Sequence, residues 1–235
     1  MTRLRNLLGT ALGVAVLAPA AARAQEVGYT PARSPFEDLE FRQNFSIIGG
    51  YFNTSKDPAG VAPRGGTMLG VEYDLGFGGP VLLTTRVRSV LSERTALDPA
   101  RPAGARTLGT EQRPVTIADV GLTLALTGQR SFHRLVPLLH AGAGVASNFQ
   151  GADPGGYTFG TSFAFAYGLG VRYVPRASRV GFRVDLGNTV YRVRYPSAYA
   201  TAGLDGTSVI AADARRQRYL NNTAITAGVS YQFRR

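Results

Sequence analysis

The chain has 235 residues, a formal net charge of +11, 17% charged residues, 29 glycines and no cysteine. That length is enough for one sizeable domain, and the lack of cysteine excludes a disulfide framework and a thiolate metal site. Nearly all the cation is arginine, with Lys56 the single lysine, and the arginines are scattered rather than gathered into the patch a nucleic-acid surface needs.

Residues 1–24 have the layout of a secretory signal peptide: Arg3 and Arg5, an apolar run from Leu7 to Ala18, then Ala22-Arg23-Ala24 before Gln25. The run is too short for a membrane-spanning helix, which takes about 20 apolar residues. The mature chain is expected to begin at Gln25, with residues 25–40 as a periplasmic lead-in that holds two prolines and no period. No later segment stays apolar for 18 residues.

From residue 41 the pattern has period two, the mark of strands with unlike faces. The first predicted strand, Arg42 to Asn53, sets Phe45, Ile47, Gly49 and Tyr51 on one face. The second, Gly66 to Phe77, sets Leu69, Val71, Tyr73, Leu75 and Phe77 against Met68, Glu72 and Asp74. The third, Val81 to Leu91, sets Val81, Leu83 and Val87 against Arg86 and Arg88. The fourth, Val115 to Thr127, sets Val120, Leu122 and Leu124 against Asp119, Gly121 and Thr123. The fifth, Arg134 to Ser147, is rich in glycine and its facing stays open. The sixth, Tyr157 to Tyr173, alternates Phe163, Phe165, Tyr167 and Leu169 with Ser162, Ala164, Ala166 and Gly168. The seventh, Arg179 to Arg194, sets Val180, Phe182, Val184 and Leu186 against Arg183 and Asp185. The eighth runs from Thr223 to the end, with Ile225, Val229, Tyr231 and Phe233 facing one way.

Eight strands with tight turns near 78–80, 128–133 and 175–178 alternate with longer loops near 54–65, 92–114, 148–156 and 195–220. That sorting belongs to an eight-stranded antiparallel transmembrane β-barrel, with short periplasmic turns and long outer loops. The small face of the last strand carries Ala224, Thr226, Gly228 and Ser230 rather than lysine and glutamate. Such a face suits a narrow lumen, while the opposite face suits hydrocarbon. Two aromatic belts are expected. One holds Phe77, Tyr173, Tyr231 and Phe233 at the periplasmic ends, the other Tyr51, Phe149, Tyr157, Tyr191, Tyr195 and Tyr219 at the outer ends.

The stretches Arg134-Leu-Val-Pro137, Gly142-Ala-Gly144, Tyr167-Gly-Leu-Gly170-Val-Arg172-Tyr173, Gly181-Phe-Arg-Val-Asp185 and Tyr231-Gln-Phe233, in that order, resemble the outer-membrane β-barrel family that includes the eight-stranded OmpA and OmpX proteins. The resemblance spans residues 41–235 and implies outer-membrane localisation, contact with outer-membrane lipid and insertion by the barrel-assembly machinery. Members usually end on an aromatic residue, whereas here Arg234 and Arg235 follow Phe233.

The candidate chemistry is sparse. His133 falls in a turn near Ser131, and His140 falls mid-strand, so no catalytic arrangement, metal site or cofactor site is expected. Glu72, Asp74, Arg86, Arg88, Asp119, Arg172, Arg183 and Asp185 all take lumen parity and are expected to pair, with Glu72 opposite Arg86. On the seventh strand the greasy face ends in Arg192 and Arg194, which with Arg215, Arg216 and Arg218 form an expected contact for lipopolysaccharide or another anionic glycolipid. The expected role is structural or surface-interactive for a monomeric barrel, with a narrow channel and a lipid A-modifying enzyme as alternatives.

Overall fold

In the computed structural model the described residues are 34–234, except 40, 154 and 177. The signal-peptide reading and most of the lead-in lie outside them. Twelve strands follow in chain order: β1 (Phe36–Asp38), β2 (Phe41–Asn53), β3 (Gly66–Gly78), β4 (Val81–Val90), β5 (Glu93–Leu97), β6 (Thr107–Gln112), β7 (Val115–Ala125), β8 (Arg130–Phe132), β9 (Leu135–Ser147), β10 (Thr161–Tyr173), β11 (Val180–Arg194) and β12 (Gln217–Arg234).

Eight of these make the barrel. β2, β3, β4, β7, β9, β10, β11 and β12 each pair antiparallel with the next, and β12 returns to β2. The ring is closed, so no barrel edge is left with unpaired backbone groups, the condition that lipid imposes. The tight turns gather at one end, called here the turn end, and the longer connections at the other, the loop end.

The faces are inverted relative to a water-soluble protein. Ile47, Leu69, Leu122, Phe163, Leu169 and Ile225 are each more than half exposed, while Glu72, Asp74 and Arg183 are at most 2% exposed. Charged residues are almost never fully buried in a protein whose outside is water. An apolar exterior around a charged interior is the arrangement of a barrel in hydrocarbon.

The structure departs from the sequence pattern in four places. The lead-in supplies a strand: β1 pairs with β8, Arg130 reaches Asp38 at 2.9 Å, and Phe36 meets Phe132 at 5.2 Å between ring centroids. The loop after β4 contains the hairpin β5–β6. β10 starts at Thr161, because Gly160 at φ +61° breaks the extended path, and Tyr157 and Phe159 turn inward instead of continuing the outer face. β12 starts at Gln217, six residues before the predicted Thr223.

Candidate functional site: the filled lumen and its loop cap

The lumen is filled in layers. Between its two ends lies an ionic network of four arginines and four carboxylates. Arg183 is its hub: it grips Asp185 through Nε and Nη2 at 2.8 and 2.7 Å, reaches Glu72 through Nη1, and lies 3.4 Å from Asp74. Arg172 holds Asp74, which also accepts from the Thr84 hydroxyl at 2.7 Å. Arg86 and Arg88 share Asp119, at 2.9 and 2.5 Å. With four charges of each sign the network is neutral, as a dry interior requires. The space left beside Glu72, Arg86, Arg88 and Asp185 is about 20 Å³, room for a single water.

The pairing differs from the expectation in one respect. Glu72 does stand opposite Arg86 in the β3–β4 register, yet the ion pair of Glu72 is with Arg183 and that of Arg86 is with Asp119. Glu72 finds its partner across the lumen on β11, whereas Arg86 turns to Asp119, the residue opposite it on its other ladder, β4–β7.

Toward the loop end the lumen turns apolar. Phe52, Met68, Val90, Ile117, Tyr191 and Leu220 point inward and join Val61, Tyr157, Tyr199 and Ile210 from the loops in one buried cluster. Tyr157, Tyr191 and Tyr195 are therefore at most 4% exposed and do not form an aromatic belt. Tyr51, Phe149 and Tyr219 remain on the outside near the loop end, and Phe77, Tyr231 and Phe233 near the turn end.

The four loops are tied into one cap. Asp57 accepts from the amides of Val61 and Ala62 at 2.8 and 2.7 Å and from the Tyr195 hydroxyl, linking the first loop to the last. Burial and the Asp57 carboxylate push the Tyr195 phenol above its ordinary pKa, so it stays a donor. Arg94, fully buried, sits 3.2 Å from Asp153 and 5.0 Å above the Tyr157 ring, linking the β5–β6 hairpin to the loop before β10. Arg106 reaches Asp205 at 3.3 Å and the Thr207 hydroxyl at 2.7 Å. Asp205 is held down to about 2 by the Ala103 amide, then by the Thr207 hydroxyl and amide, so this latch keeps its charge at any physiological pH. Sequence reasoning missed Arg94 and Arg106, because nothing local separates a buried loop arginine from a solvated one.

The basic residues at the loop end divide. Arg192 and Arg194 lie exposed on the outer face of β11, with Arg192 3.3 Å from Gln217. Arg215 and Arg216 are exposed in the last loop. Arg218 is exposed too, but it stands opposite the inward-facing Val193, on the other face of the sheet from Arg192. It lines, with Arg215, Tyr195 and Ile210, a groove of about 610 Å³.

The histidines stand apart from one another. His140 is buried in the lumen, its ring close over Gly168 and Gly187. His133 lies edge-on to Phe132 at 4.5 Å, and the nearby Ser131 hydroxyl turns to the Glu37 carbonyl at 3.4 Å. Among the described residues no three metal-ligating side chains come together.

The sequence matches no family model and no curated protein. Three solved structures are similar to it. The outer membrane protein OprG from Pseudomonas aeruginosa shares 12% identity, covering 84% of this chain and 99% of that one, with a TM-score of 0.49. Neisserial surface protein A shares 13%, covering 81% and 97%, with a TM-score of 0.47. Ail, the attachment invasion locus protein of Yersinia pestis, solved with the heparin analogue sucrose octasulfate, shares 14%, covering 82% and 100%, with a TM-score of 0.39. The fold of this chain, the eight-stranded antiparallel outer-membrane barrel, rests on its own ladders.

Proposed function

We propose that the protein is an outer-membrane anchor with a structural and surface-interaction role, presenting its cap outward and holding anionic glycolipid at a basic rim. The observation that carries this reading is the double closure of the lumen, by the Arg183 network and by the apolar layer under the cap. A barrel of eight strands is just wide enough for its own side chains. What it offers to partners is then its loop end rather than a passage.

The rim suits glycolipid. Arg192 and Arg194 continue the lipid-facing stripe of Phe182, Val184 and Leu186, and Tyr219 stands opposite Arg192. At the height where hydrocarbon gives way to headgroups, guanidinium forks can grip phosphate oxygens in pairs. Arg215 and Arg216 add charge above them, and Arg218 contributes from the neighbouring groove. The test is glycolipid retained on purification by the wild type and by the Arg192→Ala, Arg194→Ala double variant. The double variant should carry several-fold less; equal amounts would reject the rim as a binding site.

Orientation has its own test. With the cap outward, a trypsin-like protease added to intact cells should cut at the exposed Arg215 or Arg216, while Arg101, exposed too, is protected by the Pro102 that follows it. Arg106, 7% exposed and held by Asp205 and Thr207, should be spared. Cutting only after permeabilisation would reverse the topology.

A further inference from the structure

We propose that the turn end of the lumen is a binding site for a small anion bearing a carboxylate or phosphate group. The proposal goes beyond the surface role, since it concerns the opposite end of the molecule. A cavity of about 290 Å³ opens there, beside the Gly78–Gly79–Pro80 turn. That volume lies at the small end of ligand pockets.

The charged side chains among the described residues of its wall are of one sign. Arg42 and Arg172 both line it, Asn44 and Gln129 add neutral polar groups, and no aspartate or glutamate is found among its described lining residues. Arg172 is 5% exposed; its Nη2 is committed to Asp74, and its buried Nε has no hydrogen-bond partner. Arg42, by contrast, is exposed. Asp74 balances the charge of Arg172, so the uncancelled cation of the recess is Arg42, for which no ion pair is found among the described residues, beside walls of Leu82, Ala125 and Val136.

The recess is blind. Toward the loop end the next layer is the Arg183 network, with its void of about 20 Å³. A solute entering from the turn end is therefore held, not passed on.

The test uses the full chain refolded in detergent micelles, titrated at constant ionic strength with acetate and, separately, with inorganic phosphate. The readout is the amide NMR shifts of Gly78, Gly79 and Gly128. Saturable shifts at these glycines are expected with at least one anion, and which of the two saturates at lower concentration identifies the preferred group. Arg42→Glu should weaken binding by about tenfold or more. Leu82→Phe, which fills the recess and leaves both arginines in place, should weaken it likewise, and Arg215→Glu at the loop end should leave it unchanged. Absence of saturation with either anion would overturn the proposal, as would wild-type affinity in Arg42→Glu or in Leu82→Phe, or an equal loss in Arg215→Glu.

Discussion

Replacing Arg183 by alanine is expected to destabilise the barrel by about 3–5 kcal/mol, the range for breaking a buried ion pair by removing one partner. Arg183 is 2% exposed and meets Glu72, Asp74 and Asp185. Without it, Asp185 loses the only ion pair found for it among the described residues, and so does Glu72. Asp74 keeps Arg172 and the Thr84 hydroxyl. The cost therefore falls on two carboxylates, and Glu72→Gln added to Arg183→Ala should recover part of it. Denaturant unfolding of the barrel in lipid vesicles measures both variants. A change below about 1 kcal/mol in Arg183→Ala would place the network in water, where such pairs contribute little.

A larger effect is expected at the seam between β7 and β9. A Cβ on Gly144 would sit 1.9 Å from the Ala118 carbonyl oxygen and 2.6 Å from the Asp119 Cα. Both are backbone atoms of the facing strand, so no flexible side chain can yield. Gly121 meets Ala141 in the same way at 2.1 Å. Inward side chains at this seam would push the two strands apart, and the β7–β9 pairing is a ladder on which closure of the ring depends. Gly144→Val should abolish the folded barrel, seen as loss of the compact, faster-migrating band in unheated gel electrophoresis. Gly49→Ala is the control, because a Cβ there meets nothing nearer than 3.7 Å. A normal compact band from Gly144→Val would mean that the seam is wider than described.

The alternation of residues made the barrel legible. Runs such as Phe163, Phe165, Tyr167 and Leu169 against Ser162, Ala164, Ala166 and Gly168 name the two faces of a strand without any knowledge of its neighbours. Tight turns stand out for a local reason as well: Gly78 and Gly79, at φ +112° and +65°, occupy backbone that other residues avoid. The outward position of Arg192 and Arg194 follows from the same parity.

Partnership across the lumen was not legible in the same way. Which residues meet there depends on the stagger of the closed sheet, which no single strand encodes. Hence Glu72 could be placed opposite Arg86 on the ladder, while its ion pair with Arg183, on a strand not adjacent to its own, could not be read. The apolar upper layer did leave a signal. Near the loop end, inward positions hold Phe52, Met68, Val90, Ile117, Tyr191 and Leu220, so both faces of those strand ends are greasy. A strand that is apolar on one face in its middle and on both at its end marks a mouth filled by protein. Tyr157 and Tyr195 escaped that reading because they lie in loops, where alternation has no meaning.

Ion conductance across a planar lipid bilayer tests the central claim, a closed barrel whose lumen is blocked twice. Purified protein inserted into the bilayer should give no steady conductance in concentrated potassium chloride, because the Arg183 network and the apolar layer leave no continuous water path. Steady, reproducible unitary openings from the wild-type protein would contradict the account and make the barrel a channel.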